Sequence, residues 1–305
     1  MWLRLSLRLT DRPGADMEQA FQFCETRVRE ADKDRFLATL FAPERLRAPL
    51  FALYAFDLEI AQVRDRISSP LPGEVRLQWW RDVLTGSGPG NAASPIAAGL
   101  LDAVRRVALP VTALTDLIDA HTFDLYDEPT ATVADLEKHA TATAGAVIRL
   151  AAWILNDGHE SGLVKQASHA AVANTITDVM LRLSWHSVRG QRYVPDDVLA
   201  RHGASATDVL AGRATLEVKA ALVELRDVAR QHLAALRSEG AGVPARLLPA
   251  FLPVSLVPSR LERLERRDAD PFRPQIVPQW RRQWTLWRAA RRPARFIRTA
   301  PDDEE

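Results

Sequence analysis

Apolar residues recur along most of the chain at intervals of three and four positions, which is the spacing of amphipathic helices. Two segments are apolar on nearly every face, one within residues 48–67 and one within residues 163–185. Helices of that kind lie inside a protein, because none of their faces suits water. Convincing strand-like alternation is not found. The pattern predicts an all-α fold, in which a single bundle surrounds two buried central helices.

Shorter amphipathic segments precede and follow the two central ones, and residues that favour turns separate them. The further helices are expected at residues 17–30, 33–40, 75–84, 95–107, 111–125, 136–155, 216–239, 247–267 and 279–292. Residues 86–94, which read GSGPGNAAS, and the proline-rich residues 271–278 are expected loops. No internal repeat of fixed period interrupts this series, so the pattern indicates one helical domain over residues 17–292.

The two ends of the chain lack this pattern. Residues 1–16 alternate leucine with arginine and lack the continuous apolar core of a signal peptide, so we interpret them as a flexible lead or a mis-assigned start. Residues 293–305 are expected to form a disordered acidic tail. No apolar run approaches the roughly 20 residues of a membrane-spanning helix. The expected location is the cytoplasm, with association with the inner membrane surface as an open addition.

Composition narrows the class of protein only slightly. Of the 305 residues, 47% are hydrophobic and 26% are charged, which is ordinary for a globular protein. The formal net charge of +1 offers no general attraction to nucleic acid, which we therefore do not expect as a partner. The single cysteine, Cys24, excludes an internal disulfide and is expected in the core.

Charged residues interrupt the first central helix. Asp57, Glu59 and Asp65 lie in it or at its end, and a buried carboxylate is costly unless it is paired or has a task. The preceding segment is Tyr54-Ala55-Phe56. Further short segments follow at residues 143–147, TAGAV, and 189–195, RGQRYVP. Together these segments resemble the squalene/phytoene synthase superfamily over about residues 18–290.

The resemblance implies a fold and a chemistry. Members have an isoprenoid-synthase fold with a central cavity, and they join two prenyl diphosphates head to head. Two Asp-x-x-x-Asp motifs hold the Mg²⁺ ions, because carboxylates four residues apart share a helix face and hard cations prefer oxygen ligands. The ions neutralise the diphosphate and help it to depart.

The aspartate motifs are incomplete in this chain. The first motif should place aspartates at positions 61, 62 and 65, where the sequence has Ala61, Gln62 and Asp65. Counting back from Pro195, the second should place them at positions 182 and 186, where it has Arg182 and His186. A guanidinium repels a metal ion. Two further family positions also differ: a serine corresponds to Asp34 and an arginine to Leu58. We therefore expect no catalytic residues, no metal ligands and no cofactor.

A subgroup of the superfamily fits better. The run from Ala55 to Asp65, AFDLEIAQVRD, and the later segment at residues 76–80, RLQWW, resemble the subgroup of the mitochondrial complex I assembly factor, which also lacks the aspartate motifs. This resemblance implies a role in assembling respiratory complex I, with its subunits or intermediates as partners. Two alternatives stay open. One is an active prenyltransferase that uses farnesyl or geranylgeranyl diphosphate and Mg²⁺. The other is a protein that holds an isoprenoid or quinone-like lipid unchanged.

Under either lipid-related reading, an enclosed and mostly apolar pocket is expected near Tyr54 and Ile176. Its expected substrate-binding residues are Arg47, Tyr54, Asp65, Arg189 and Tyr193. An alternative is a metal-free anion-binding wall, formed by Arg47, Arg182, Arg189 and Arg192. Asp65 is expected to form a buried salt bridge with Arg64 or Arg189. Asp178 is expected to pair with Arg182 one helical turn away. A metal-ligand role for either aspartate stays open.

The last helix carries Trp280, Trp284 and Trp287 at positions i, i+4 and i+7, so one face is aromatic, and several arginines surround it. The preferred interpretation is an edge helix that packs this face on the core. The functional alternative is a peripheral contact with a membrane, since tryptophan suits the bilayer interface and arginine suits anionic lipid.

Overall fold

The computed structural model describes residues 13–87, 94–238, 242–266, 269–273 and 277–300. Its α-helices are α1 Pro13–Ala31, α2 Lys33–Thr39, α3 Glu44–Ala61, α4 Pro70–Thr85, α5 Pro95–Arg106, α6 Val111–Thr122, α7 Val133–Ala140, α8 Ala146–Leu155, α9 Val164–Leu181, α10 Leu183–Val188, α11 Asp196–Arg201, α12 Ala206–Leu210, α13 Leu216–Ser238, α14 Leu248–Phe251, α15 Val257–Leu264 and α16 Gln279–Arg291. The expected all-α fold is confirmed, and the helices agree closely with the apolar periodicity.

Two helices form the centre of the bundle. In α3 every residue from Pro49 to Asp57 is buried, and the helix packs against α1, α5 and α8. Helix α9 packs against α13 and the segment after α7, and its buried face is rich in alanine. Small side chains allow neighbouring helices to approach closely: a Cβ on Gly145 would lie 3.5 Å from the Cβ of Ala171. Both central helices were expected from their apolar character on all faces.

The central helices are shorter than their apolar patterns predict. Helix α3 ends at Ala61, and a 3₁₀ turn follows at Arg64–Arg66 before Pro70 begins α4. Helix α9 ends at Leu181, because Arg182 departs from helical geometry with φ of −105° and ψ of 14°, and α10 then begins at Leu183. Both breaks fall at the segments that correspond to the aspartate motifs, so they bear directly on the candidate site.

Two other helical segments are irregular. The expected helix over residues 136–155 is continuous, but a π-helical turn at Thr141–Gly145 joins α7 to α8. The expected helix over residues 247–267 is divided into α14, a 3₁₀ segment at Leu252–Leu256 and α15. Pro249, Pro253 and Pro258 explain the division, since proline cannot donate the backbone hydrogen bond that a regular helix needs.

The C-terminal segment is more ordered than expected. Residues 293–295 form a 3₁₀ turn, Phe296 and Ile297 are buried, and β2, Thr299–Ala300, pairs in parallel with β1, Val243–Pro244. The expectation of disorder from residue 293 is therefore wrong for residues 293–300, because two apolar side chains anchor them. At the other end α1 already includes residues 13–16 of the expected lead. Residues 1–12 and 301–305 lie outside the described residues.

Among the helices just given, none combines the length and the apolar character that crossing a bilayer requires.

Candidate functional site

The C-terminal end of α3 and the boundary between α9 and α10 face each other across an open pocket of about 600 Å³. Its polar lining consists of Gln62, Asp65, Arg66, Arg182, Ser184 and Arg189. These are the segments in which the superfamily carries its two aspartate motifs. The fold therefore brings the two motif positions together as the resemblance implies, but with a different set of side chains.

An ion pair crosses this pocket. Arg189 Nε lies 3.8 Å from Asp65 Oδ1, and the Arg189 guanidinium also lies over the ring of Trp185, 3.4 Å from its centroid. The expected pairing of Asp65 with Arg189 is confirmed, but the pair is not buried as expected. Arg64, the other expected partner, instead binds the carboxylate of Asp127. Asp65 and Arg189 are each about one-third exposed, so water weakens their attraction.

The donor set in this pocket does not fit Mg²⁺. The side-chain oxygen of Gln62 accepts hydrogen bonds from Arg27 at 2.6 Å and Arg66 at 2.7 Å. His186 is not among the lining residues: its Nδ1 lies 3.2 Å from the side-chain oxygen of Gln191, and burial lowers the pKa of this histidine. Within the described residues no three side chains of His, Cys, Asp or Glu are grouped so that they could hold a metal ion.

A second, interior cavity lies beside Tyr54. Its lining includes Arg35, Ala144, Val147, Asn174 and Pro253, and its volume is about 40 Å³. That space is large enough for a water molecule, whereas small-molecule sites usually measure about 300–1,000 Å³. A small cavity is therefore present beside Tyr54, and an isoprenoid would fit there only if the cavity enlarged.

Charged groups occupy the polar side of the interior. The buried carboxylate of Asp57 binds the Arg35 guanidinium, which also lies over the Tyr54 ring at 5.2 Å from its centroid. Burial is the largest cause that raises the pKa of Tyr54, so its phenol stays protonated at neutral pH. Sequence reasoning did not identify Arg35 as a candidate. A buried carboxylate at Asp57 needs a partner, however, and this need indicated that a cationic side chain would lie beside it.

A cluster of four charged residues joins α2, α9, α15 and α16. Asp34 on α2 accepts hydrogen bonds from Arg260 Nη2 at 2.6 Å and from Arg282 Nε at 2.8 Å. Arg260 Nη1 also lies 3.6 Å from Asp178 Oδ1. We call these four residues the Asp34 cluster. The pairing of Asp178 with Arg182, which the spacing suggested, is replaced by Arg260 and by a hydrogen bond from Asn174 at 3.1 Å.

Tyr193 lies in a third pocket, of about 430 Å³, together with Asp124, Asp127, His139 and Arg192. Burial is the largest cause that raises the pKa of Tyr193, and the charges of Asp124, Asp127 and Asp65 raise it further. Behind this pocket His121 Nδ1 lies 2.8 Å from Asp124 Oδ2. Sequence reasoning missed His121, Asp124 and His139, because nothing in their spacing marks them as one group.

The expectation that Arg47 lines the same pocket as Asp65 and Arg189 is wrong. Arg47 lies in the first turn of α3, about 21 Å along the helix axis from Ala61 at 1.5 Å per residue. Its guanidinium donates hydrogen bonds to the carbonyl oxygens of Ala42 and Leu40, both at 3.0 Å. Of the expected binding residues, the structure brings Asp65 and Arg189 together, whereas Tyr54, Tyr193 and Arg47 lie in three other places.

The aromatic face of α16 also differs from the preferred expectation. Trp280, Trp284 and Trp287 are 63%, 52% and 39% exposed, whereas Leu286 and Ala289 are buried. The helix therefore packs its small aliphatic face on the bundle and leaves its aromatic face outside. By contrast, the expected burial of Cys24 is confirmed.

Comparison with solved structures agrees with this fold. The chain is similar to a dehydrosqualene synthase, with a TM-score of 0.72, 17% identity, and coverage of 91% of this chain and 97% of the other. It is also similar to a squalene synthase from Alicyclobacillus acidocaldarius, with a TM-score of 0.69, 21% identity, and coverage of 86% and 97%. At these identities the likeness shows the isoprenoid-synthase helical fold.

Comparison with known sequences is more specific. The chain is 30% identical over 277 residues to NADH dehydrogenase (ubiquinone) complex I, assembly factor 6, of Rattus norvegicus, which covers 90% of this chain and 82% of that protein. Identity to a 15-cis-phytoene synthase of Synechocystis is 23% over 212 residues, which covers 66% and 63%. The expected resemblance to the assembly-factor subgroup is confirmed.

Residues 28–288 match the squalene/phytoene synthase family profile. The chain therefore belongs to the squalene/phytoene synthase family.

Proposed function

We propose that this chain is a non-catalytic member of the family and assists the assembly of respiratory complex I. The observation that carries the proposal is its 30% identity, over 90% of its length, to a complex I assembly factor. The same stretch contains Ala61, Arg182 and His186 where metal ligands are expected. In this proposal its partners are complex I subunits or assembly intermediates.

The chemistry of the open pocket supports a role without prenyl transfer. Mg²⁺ needs oxygen ligands in near-octahedral geometry, and Arg66, Arg182 and Arg189 bring positive charge into the place where cations would bind. The alternative, a prenyl-diphosphate transferase, would need this repulsion to be overcome. The other alternative, an isoprenoid held in the core, would need the cavity beside Tyr54 to enlarge well beyond 40 Å³.

A role in assembling a membrane complex also requires access to the membrane surface. The exposed aromatic face of α16 is the surface that we propose for this contact, since it combines large apolar rings with arginines.

Deletion of the gene in its own host tests the proposed function. We expect assembled complex I, measured on native gels and by NADH oxidation in membranes, to fall and to return when the wild-type chain is supplied. Because metal binding is not required, the Asp65→Ala variant should restore it equally well. Unchanged complex I in the deletion strain would contradict the proposal.

A turnover assay separates the enzyme alternative. Purified protein with farnesyl or geranylgeranyl diphosphate and Mg²⁺ should form no condensed product. Squalene-type or phytoene-type product that disappears in Asp65→Ala would instead establish the transferase.

A further inference from the structure

The α16 helix has two faces of opposite character. Its inner face packs Leu286 and Ala289 on the 3₁₀ segment at Leu252–Leu256, and Arg282 binds Asp34 from the same side. Its outer face carries the three exposed tryptophans already described. The inner contacts hold the helix on the bundle, so the aromatic face is directed outward by packing rather than left there by a loose end.

The outer face is a continuous apolar surface. The rings of Trp284 and Trp287 are stacked, with centroids 5.0 Å apart and planes at 18°, and Trp280 lies one turn earlier on the same side. Exposed apolar patches rimmed by polar residues mark interaction sites, because apolar surface in water is unfavourable. Three indole rings on one helix therefore point to a partner that accepts both apolar and polar contact.

Within residues 277–300, all charged side chains have one sign. The exposed arginines of the segment are Arg281, Arg288, Arg291, Arg292, Arg295 and Arg298. Residues 277–300 include no aspartate or glutamate, and within the described part of the chain none of these arginines pairs with a carboxylate. Arg281 and Arg291 lie over the rings of Trp280 and Trp287, at 5.2 Å and 4.5 Å from their centroids. The surface is therefore both aromatic and strongly cationic.

We propose that this surface binds the face of an anionic phospholipid bilayer, with α16 lying in the plane of the interface. Indole rings favour the headgroup region, where an apolar body and a polar N–H are both satisfied. Arginines beside them meet lipid phosphates and the negative surface potential. The proposal deepens the proposed function, because it rests on that role for its location and adds the class of lipid.

Vesicle binding tests the proposal directly. The purified full-length protein is mixed with vesicles of phosphatidylcholine alone, or of phosphatidylcholine with phosphatidylglycerol, and the vesicles are sedimented. We expect binding to the anionic vesicles only. Salt should release the protein, because raising it from about 0.1 M to about 1 M shortens the Debye length from about 10 Å to about 3 Å.

Matched variants assign the binding to α16. The double variant Arg288→Glu/Arg291→Glu should weaken vesicle binding more than about tenfold, whereas Arg237→Glu, which changes an exposed arginine on α13, should leave it unchanged. Trp284→Ala should also weaken binding, whereas Phe23→Ala, at a half-exposed aromatic ring on α1, should not. Thermal midpoints of all four variants should stay close to that of the wild type.

Several outcomes would overturn the proposal. These are equal binding to neutral vesicles, no binding to either kind, and unchanged binding by both the arginine and the tryptophan variants. Formation of a dimer that Trp284→Ala abolishes would assign the surface to a second copy of the chain instead. The two proposals fail separately: loss of complex I on gene deletion without vesicle binding overturns only the lipid surface, and vesicle binding with intact complex I overturns only the assembly role.

Discussion

The Asp34 carboxylate on α2 is bound by the Arg282 guanidinium on α16, with 2.8 Å between Oδ1 and Nε, although 248 positions separate them in the chain. Arg260 completes the pairing from α15, and it extends the contact to Asp178 on α9. Three helices therefore meet at Asp34, a residue that is only 7% exposed, and Arg260 links a fourth, α9, to them. In the superfamily resemblance this position is a serine, whereas this chain has Asp34.

Removal of the charge at Asp34 should destabilise the protein strongly. Asp34→Asn leaves Arg260 and Arg282 without their carboxylate in a largely buried place, and the loss of one member of such a group costs about 3 kcal/mol of unfolding free energy. Chemical denaturation followed by circular dichroism measures this loss. The outward-facing Arg281→Gln serves as the control and should change stability by less than about 0.5 kcal/mol. Equal effects of the two variants would mean that the cluster contributes little.

His121 should give the stability a specific dependence on pH. Burial lowers its pKa, but the hydrogen bond and charge of Asp124, together with the charge of Asp57, outweigh burial and raise the pKa above its ordinary value of 6.5. A raised pKa in the folded state means that protonation stabilises the fold. This contribution is complete below 6.5 and is lost as the pH rises through the higher folded value.

The difference in unfolding free energy between the wild type and His121→Gln should therefore be larger at about pH 6 than at about pH 9. His139 faces the same carboxylate, but burial lowers its pKa, so its protonation opposes folding at low pH. The comparison of variants removes that background. Phe23→Ala, which removes no titratable group, is the control and should show no such trend. A difference that is constant over this range would show that folding does not shift the pKa of His121.

Mg²⁺ should not stabilise the protein. A ligand raises the thermal midpoint only in proportion to its binding to the folded state, and the arginines around Asp65 oppose cation binding. Thermal melts with and without Mg²⁺ should therefore coincide. Asp65→Ala should lower the unfolding free energy by less than about 1 kcal/mol, since its ion pair with Arg189 is partly exposed. A midpoint that rises with Mg²⁺ in the wild type but not in Asp65→Ala would identify Asp65 as a ligand.

The centre of α3 should be sensitive to cavities. Phe56 is fully buried and meets Trp80 edge to face, with ring centroids 5.0 Å apart. Phe56→Ala should cost about 3–5 kcal/mol of unfolding free energy, because it removes buried apolar surface and leaves a void. Phe23→Ala, at a half-exposed ring on α1, should cost much less in the same denaturation experiment.

Local patterns predicted most of the helices, because amphipathic spacing and turn residues act within a few positions. The family resemblance and the departures at Ala61, Arg182 and His186 could also be recognised from short segments. The pairing of Asp65 with Arg189 followed from opposite charges on two segments that the resemblance already brought together. Each of these predictions depended either on interactions between residues close in sequence or on the resemblance to one known family.

The remaining features depend on long-range packing. The partners of Asp34 lie on α15 and α16, and no local spacing could reveal them. The aromatic face of α16, with Trp280, Trp284 and Trp287, was expected to pack on the core, because aromatic side chains usually bury a large apolar surface. The structure instead packs Leu286 and Ala289, which occupy the opposite side of the same helix. Periodicity shows that a helix has two faces, but the neighbours decide which face is covered.

The contact between Arg282 and Asp34 also fixes the orientation of α16 on the bundle. Through that pair α16 is joined to α2, and through Arg260 the same carboxylate is joined to α9, one of the two central helices. The tryptophan face therefore keeps a fixed orientation relative to the rest of the bundle. When α16 binds a surface, the opposite side of the protein therefore faces away from that surface at one fixed tilt. A binding partner would then always meet the same set of exposed side chains.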